Sequence, residues 1–446
     1  MDRITIEFEW ISPEGARGPE LRATWAYLRI RVGNEVVTRV EDTVAHSVRL
    51  GVYGPLYPLA EWIVSNWWSL LHEVMSPKRK DERDYALRHD VGEAAEGYAL
   101  PSLRCQPEGE RTALVWRKRD LTSQHVCFLD EGHAVVSTRQ LEDELRSFIC
   151  AVVTRLEDEG VADTFLAAEW NAINAADADE QDYCRALGRL GLDPYAPESE
   201  LIGHAVIGLS EQLPAQAFDE FLAVANAREL ETQGNQLLRF FTEARTRDID
   251  VPSLRALKEQ AKGLVTEALD EPFPWDRGYA FARGLRALLG TASANPVPDV
   301  GALGTLFQVQ PDVWENVVTR TNGMSAFLSA AVGRMRNDAP CFAIKPVRTH
   351  PGQVFLLCRA LYEYLATPEP AVAVVTEAHS ERQKRSRAFA AEFLAPAAQL
   401  AALIDSAVVT HDDIEDLAAR FGVSAWVIRL QIANHQLATL PFMEQA

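Results

Sequence analysis

The sequence predicts a multidomain α+β protein, and three observations indicate this class. The chain has 446 residues, more than one ordinary hydrophobic core accommodates. Apolar and polar residues alternate near the N-terminus, as in half-buried strands, whereas apolar residues recur at helical spacing along most of the remaining chain. We expect a β-rich α+β N-terminal domain over 1–160, a mainly helical middle domain over 161–295 and a mostly helical C-terminal domain over 296–446.

The N-terminal domain opens with a strand pattern. In "RITIEFEWIS" the side chains of Ile4, Ile6, Phe8 and Trp10 alternate with polar ones. The run "YLRIRVGNEVVTRV" predicts a hairpin around Gly33–Asn34, because these residue types accept the positive φ of a tight turn. Further strands are predicted at "TALVWRKR" and on both sides of the Asp-Glu-Gly loop in "HVCFLDEGHAVVST".

Two helices are predicted beside this sheet. The segment Leu56–Leu71 is apolar but too short to span a bilayer, so it predicts a buried helix whose tryptophans pack on the sheet. Ser137 and Gln140 form a capping-box pattern, which predicts the start of a second helix. Its apolar residues recur at helical spacing and are Leu141, Leu145, Phe148, Ile149, Val152 and Leu156.

The charge balance disfavours general nucleic-acid binding. The formal net charge is −20, which repels a polyphosphate unless basic residues collect on one face. The two short basic runs, "PKRK" at Pro77–Lys80 and "RQKRSR" at Arg382–Arg387, predict a solvated helix end or loop. We expect no nucleic-acid partner.

Cysteine usage predicts a reducing compartment. The six cysteines form no C-x-x-C pair, and the chain opens directly into a strand pattern without a secretory leader. Free, mostly buried thiols in the cytoplasm are therefore expected, with no membrane association. The phosphate-loop, dinucleotide-binding and nucleophile-elbow motifs are all absent from the sequence, so no cofactor is predicted.

The C-terminal domain follows a linker candidate at Ala292–Gly301. A strand is predicted at "APCFAIKP" and helices at "PGQVFLLCRALYEYL" and "ERQKRSRAFAAEFLAP". Two more helices are predicted in "THDDIEDLAARFGVSAWVIRLQIANH". The small residues Ala388, Ala390 and Ala391 allow one helix to lie close against another.

This order and two phrases resemble the ImmA/IrrE family of zinc metallopeptidases over about residues 335–435. The phrases are "FAAEFLAP" at Phe389–Pro396 and "LAARFGVS" at Leu417–Ser424. In that family a strand precedes a helix with H-E-x-x-H, and a second helix carries a glutamate ligand. The resemblance implies a zincin-like fold for this domain, with Phe389, Glu392 and Phe393 as packing or groove residues.

The zinc ligands of the family are not matched. The resemblance aligns Cys358 and Tyr362 with the two histidines, Arg359 with the catalytic glutamate and Gln383 with the region of the third ligand. Two imidazoles one helical turn apart are needed to hold the ion, and no H-E-x-x-H occurs in the chain. A guanidinium at Arg359 repels a divalent cation, so we predict no catalytic residue and no metal site. A surface pair between Arg359 and Glu363, four residues apart, is the plain structural interpretation.

Three hypotheses of function remain open at this stage. The favoured one is a non-catalytic pseudo-peptidase that binds a protein partner, in a bacterial stress response or in phage or mobile-element defence, as the resemblance implies. An extended peptide is then expected to add to the edge of the sheet near Cys341–Lys345.

The second hypothesis is a helix-turn-helix DNA-binding regulator that presents Arg429, Gln431, Asn434 and His435 to a groove. The third is an active enzyme, either with its site in the N-terminal or middle domain or as a zinc endopeptidase with unrecognised ligands such as His350 or His379.

Overall fold

The protein is an α+β protein that divides into two compact units, Met1–Gly208 and Leu209–Ala446. The structure is a computed structural model, and it describes residues 2–12, 18–77, 82–94, 97–291, 296–320, 323–324, 326–367 and 372–441. Residues 78–80 of the basic run at 77–80 and residues 292–295 of the linker candidate at 292–301 lie outside the described residues. None of the helices in the described part combines the length and the apolar character needed to cross a bilayer.

The first unit contains three small antiparallel sheets and their covering helices. Its strands are β1 (Ile4–Trp10), β2 (Trp25–Val32), β3 (Glu35–Val36), β4 (Val40–Asp42), β5 (Ser47–Arg49), β6 (Val52–Pro55), β7 (Ser102–Pro107), β8 (Arg111–Arg117), β9 (Arg119–Leu121), β10 (Val126–Phe128) and β11 (Gly132–Ser137). Its helices are α1 (Pro19–Ala23), α2 (Tyr57–Ser65), α3 (Trp67–His72), α4 (Glu82–His89), α5 (Thr138–Asp158), α6 (Phe165–Ala175), α7 (Ala178–Arg189) and α8 (Pro197–Ser210).

The predicted N-terminal strands are confirmed. β2 pairs with β1, β3 and β6, and Gly33 takes a φ of 58° in the two-residue turn between β2 and β3. The other sheets have the orders β5-β4-β10-β9 and β11-β8-β7. The predicted apolar face of α5 is fully buried against this core.

Two helical predictions for this unit need correction. The segment Leu56–Leu71 forms two helices, α2 and α3, that are separated at Asn66. Ser137 does occupy the N-cap of α5, but its side chain makes no capping hydrogen bond. Gln140 Nε2 instead donates to the carbonyl of Ile4 at 3.1 Å, so it ties α5 to β1.

The second unit contains one mixed sheet inside a shell of helices. Its helices are α9 (Ala215–Leu222), α10 (Leu230–Thr246), α11 (Pro252–Ala268), α12 (Pro274–Leu288), α13 (Val300–Leu306), α14 (Pro311–Val317), α15 (His350–Ala366), α16 (Glu381–Leu394), α17 (Ala397–Ala401), α18 (His411–Phe421) and α19 (Ala425–Asn434). Its strands are β12 (Val318–Arg320), β13 (Ala330–Arg334), β14 (Pro340–Ile344) and β15 (Ala373–Val375). The sheet order is β12-β14-β13-β15, and β12 is parallel to β14.

The helices between 161 and 295, which the sequence groups into one domain, are distributed between the two units. Trp170 of α6 and Cys184 of α7 pack in the core of the first unit. Leu257 of α11 and Phe281 of α12 pack in the core of the second unit. Helical periodicity identifies such helices but does not reveal which core their apolar faces join.

Helices α12 and α16 approach closely at Gly278. A Cβ at this position would lie 2.3 Å from the carbonyl oxygen of Arg385 and 2.9 Å from the Cβ of Ala388. Helices that meet at such a short separation need small residues on both faces. The close approach predicted for the alanine-rich phrase is therefore present.

Gly278→Ala is expected to lower the free energy of unfolding by about 1–3 kcal/mol, because the added methyl group overpacks a rigid backbone contact. Gly263→Ala on α11 is the matched control, since a Cβ there meets no atom within 4 Å. That control is expected to be neutral or to stabilise by up to about 1 kcal/mol. Urea unfolding followed by circular dichroism measures both, and equal effects would contradict the close packing.

A half-buried histidine makes the first unit sensitive to acid. His72 ends α3, and burial, with help from Arg189 and Arg185, lowers its pKa from 6.5 to about 3. The His72 imidazole of the unfolded chain therefore binds a proton near pH 6.5, whereas that of the folded chain binds it only near pH 3. The contribution of His72 to stability is complete above pH 6.5 and is lost as the pH falls toward 3.

His72→Gln removes this titration. Below pH 6.5 the free energy of unfolding of the variant is expected to fall less steeply with decreasing pH, by about 1.4 kcal/mol per pH unit. Unfolding midpoints of both proteins between pH 7 and about pH 4.5 provide the measurement. Parallel pH profiles for the two proteins would show that folding does not lower the pKa of His72.

Candidate functional site

The predicted site residues lie on two helices of the second unit, α15 and α16. Thr349 caps α15 by accepting from the backbone N–H of Gly352, and Ser380 caps α16 by accepting from that of Gln383. Strand β15 lies between them in the chain. Arg359 on α15 and Gln383 on α16 meet inside the unit, with only 4% and 0% of their surfaces exposed.

The guanidinium of Arg359 is held by three acceptors. It donates to Gln383 Oε1 at 2.6 Å, to the carbonyl of Thr376 at 2.8 Å and to Ser386 Oγ at 3.2 Å. Burial, followed by the nearby Arg387, lowers its pKa to about 9. The group therefore remains a cation at neutral pH, in a place from which water is excluded.

Gln383 is the hub of this cluster. Its Oε1 also accepts from the backbone N–H of Thr376 at 2.9 Å. Its Nε2 donates to Glu220 Oε2 at 2.9 Å and to the carbonyl of Val374 at 3.0 Å. The amide thus has four partners, the full complement of hydrogen bonds for this group.

Two buried carboxylates face these cations. Glu220 of α9 accepts from Ser380 Oγ at 2.6 Å in addition to Gln383, and burial raises its pKa. Glu363 of α15 pairs with Arg382 of α16 at 2.5 Å, while its second oxygen has no hydrogen-bond partner in the described structure. We call the set Glu220, Arg359, Glu363, Thr376, Ser380, Arg382, Gln383 and Ser386 the Arg359 cluster.

The structure corrects two interpretations of these residues. The predicted pair between Arg359 and Glu363 is wrong, because Glu363 bonds to Arg382 and Arg359 bonds to Gln383. The run Arg382–Arg387 is only partly solvated: it forms the first turns of α16, its four basic residues are half-buried, and Gln383 and Ser386 are completely buried. Neither contact is visible in the local sequence, since the partners come from other elements.

Cys358 and Tyr362 lie apart from the cluster, among aromatic side chains. The Tyr362 ring contacts Phe281 and Phe389, with centroids 5.5 and 5.2 Å away. Burial raises the pKa of the Cys358 thiol and of the Tyr362 hydroxyl well above their usual values. Both are therefore neutral groups, and of the four aligned positions the structure brings only Arg359 and Gln383 into direct contact.

The residues of "FAAEFLAP" have structural partners. Phe389 and Phe393 stack with centroids 5.4 Å apart. Glu392 pairs with Arg283 at 2.9 Å, accepts from the backbone N–H of Ala397 and accepts from Gln431 at 2.8 Å. This buried carboxylate therefore connects α12, α17 and α19 with α16.

The prediction that an extended peptide adds to the sheet edge near Cys341–Lys345 is wrong. Strand β14, which contains Cys341, is paired on both sides, with β12 and with β13. The outer strands of this sheet are β12 and β15. An added peptide strand would have no free hydrogen-bonding edge at β14.

Metal-ligand side chains do not converge in the described part of the chain, where no group of three or more His, Cys, Asp or Glu residues is placed to hold an ion. His350 and His379 are both exposed. Cys105, Cys184, Cys341 and Cys358 are buried, Cys127 is half-buried and Cys150 is exposed, and all six thiols are free.

The helix-turn-helix pattern forms as predicted, with Gly422 in the left-handed conformation between α18 and α19. Its proposed base-reading residues, however, have partners within the unit. Gln431 is fully buried, Asn434 donates to Tyr279 at 3.0 Å, and Arg429 donates to the carbonyl of Pro441 at 3.2 Å. These contacts do not favour DNA reading by α19.

Beside the Arg359 cluster lies a separate cavity of about 680 Å³ between α12, the start of α15, α16 and α19. Aromatic side chains from three of these helices line it, among them Tyr279, Phe355 and Trp426. His435 also lines it, and its ring lies 4.6 Å from that of Tyr279. No local sequence pattern predicts this cavity, because its walls come from four segments between 275 and 435.

Comparison of the chain with protein-family models, with curated proteins and with solved structures finds no match.

Gln383→Leu is expected to lower the free energy of unfolding by about 3–5 kcal/mol, because it leaves Arg359 and Glu220 buried with fewer partners. Gln260→Leu is the matched control, since Gln260 is an exposed residue of α11 and its change should cost less than about 0.5 kcal/mol. Urea unfolding followed by circular dichroism compares them. A Gln383→Leu midpoint equal to that of the control would contradict the role of the cluster.

Proposed function

We propose that the chain is a non-catalytic, ImmA/IrrE-like pseudo-peptidase that acts by binding another protein. The observation that carries this proposal is the buried guanidinium of Arg359, held between α15 and α16 by three acceptors. The resemblance places the hydrolytic centre of the family between the two corresponding helices. In this chain that space contains a fixed cation.

Electrostatics supports the absence of hydrolysis. A divalent ion within about 5 Å of a guanidinium is repelled by about 7 kcal/mol at an effective dielectric constant of about 20. A guanidinium also cannot take the proton of a metal-bound water, which is the task of the glutamate in H-E-x-x-H. Arg359 thus opposes both the binding of zinc and its use.

The aligned ligand positions support the same conclusion. Zinc needs a thiolate, an imidazole or a carboxylate. Cys358 is a buried neutral thiol, Tyr362 is a buried neutral phenol, and both amide atoms of Gln383 already have their partners. Conversion of this site into a zinc site would require several simultaneous changes.

Protein binding is the remaining mode of action for such a scaffold. The resemblance implies regulators that act on other proteins in stress responses and in phage or mobile-element defence. A chain that keeps the helix pair but not the hydrolytic groups would act on such a partner by association alone. We propose a bacterial regulator or scaffold of this kind.

A combined metal and cleavage assay tests the loss of catalysis. After dialysis against zinc and removal of the excess, the protein is expected to retain less than about 0.1 zinc per chain and to leave casein intact. A family member with an intact H-E-x-x-H, treated in parallel, serves as the positive control. One retained zinc per chain, together with cleavage that a chelator abolishes, would refute the proposal.

The binding function needs a test of its own. Affinity capture from the native cells should yield a partner that also forms a complex of defined stoichiometry from purified components. The partner should remain uncut in that complex. Failure of every captured protein to rebind in purified form would count against the scaffold role, whatever the zinc assay gives.

A further inference from the structure

The cavity between α12, α15, α16 and α19 has the size of a small-molecule site. Its volume of about 680 Å³ lies within the range of about 300–1,000 Å³ that is usual for ligand pockets. Arg359 and Gln383 are not among its lining residues, so it is distinct from the Arg359 cluster. The proposed function leaves this cavity without a role.

Its walls present unusual apolar exposure. Trp275 and Tyr279 come from α12, Phe355 comes from α15, and Trp426 and Leu430 come from α19. Trp426 is 57% exposed and Leu430 40% exposed, although they lie one helical turn apart and border the same cavity. A flat apolar ligand would cover both side chains and stack on the aromatic rings.

Two polar groups of the lining have unmet hydrogen-bonding capacity. Gln431 is completely buried, and its amide nitrogen donates to Glu392 and to the carbonyl of Ala395, but its Oε1 has no partner. His435 Nε2 makes no hydrogen bond either and lies 3.6 Å from Glu392 Oε2. Neither atom is accessible from the cavity, so neither specifies a group of the ligand.

The charge of the lining favours an anion. Lys384 and Arg387 lie one turn apart on α16, and Asp276 is the one carboxylate among the described lining residues. The bonds of Arg387 go to backbone carbonyls, such as that of Ala378 at 3.1 Å. The N-terminus of α15, at Thr349 and Gly352, adds the positive end of a helix dipole.

We propose that this cavity binds a small aromatic anion, whose flat body stacks between α12 and α19 and whose carboxylate or phosphate lies at Lys384 and Arg387. The proposal is independent of the pseudo-peptidase assignment, since none of its groups belongs to the aligned zinc positions. It makes the second unit a sensor of a small molecule.

A matched pair of fluorescent probes tests the proposal. 8-Anilinonaphthalene-1-sulfonate is an aromatic anion, and N-phenyl-1-naphthylamine is the same ring system without the sulfonate. We expect one saturable sulfonate-probe site per chain. Lys384→Gln should weaken binding of the anionic probe by about tenfold and binding of the neutral probe by less than about twofold, because it removes one charge-assisted contact.

Two further variants locate the site. Trp426→Ala should weaken both probes, and its exposed position leaves the unfolding midpoint unchanged. Lys262→Gln is the control, because Lys262 is an exposed lysine of α11 that pairs with Glu259 outside the cavity, and it should change neither probe. Absence of saturable binding, or unchanged binding of both probes to Trp426→Ala, would overturn the site. Equal weakening of both probes by Lys384→Gln would overturn the anionic assignment.

Competition then distinguishes the two head groups. Indole-3-acetate carries a carboxylate and indoxyl phosphate a phosphate, and both carry the same flat indole ring. Displacement of the anionic probe by one of them, with Lys384→Gln reducing that displacement, supports the proposal and names the head group. Failure of both to displace the probe at millimolar concentration would overturn it.

Discussion

The second unit depends on the buried guanidinium of Arg359. Removal of such a charge from water costs several kcal/mol, and only a complete set of acceptors and nearby carboxylates offsets that cost. Here the set comes from α9, α15, α16 and the segment that follows β15. These four elements are therefore fixed by one requirement, the solvation of a cation by protein groups. Packing of α12 against α16 stabilises the unit further, but it does not supply acceptors for the buried cation.

The residues of the phrase "FAAEFLAP" have structural roles next to this cluster. Its aromatic residues stack in the core, Ala388 directly before it lies at the close approach of α12, and Glu392 connects three other helices. Each residue thus has a structural reason to persist that does not involve hydrolysis.

The sequence predicted the secondary structure of this region better than its polar contacts. Helices α15, α16, α18 and α19 follow from apolar periodicity and capping residues, which are local signals. The Arg359 cluster does not, because Gln383 meets Glu220 across 163 residues of chain and no local pattern encodes that pair. The run Arg382–Arg387 illustrates the limit: basic residues in a row usually face solvent, but here Arg382 pairs with Glu363 of α15 and Arg385 with Glu381 of α16, and both arginines are half-buried. The cavity was missed for the same reason, since its four walls are far apart in sequence.

The four hydrogen bonds of the Gln383 amide have an evolutionary consequence. A change at Arg359, Gln383 or Glu220 alone leaves the others unsatisfied in a dry interior, so drift at one position is penalised until the rest follow. Related chains should therefore carry these residues as a covarying set, inherited or lost together. A lineage that loses the set by single substitutions passes through chains with an unsatisfied buried charge.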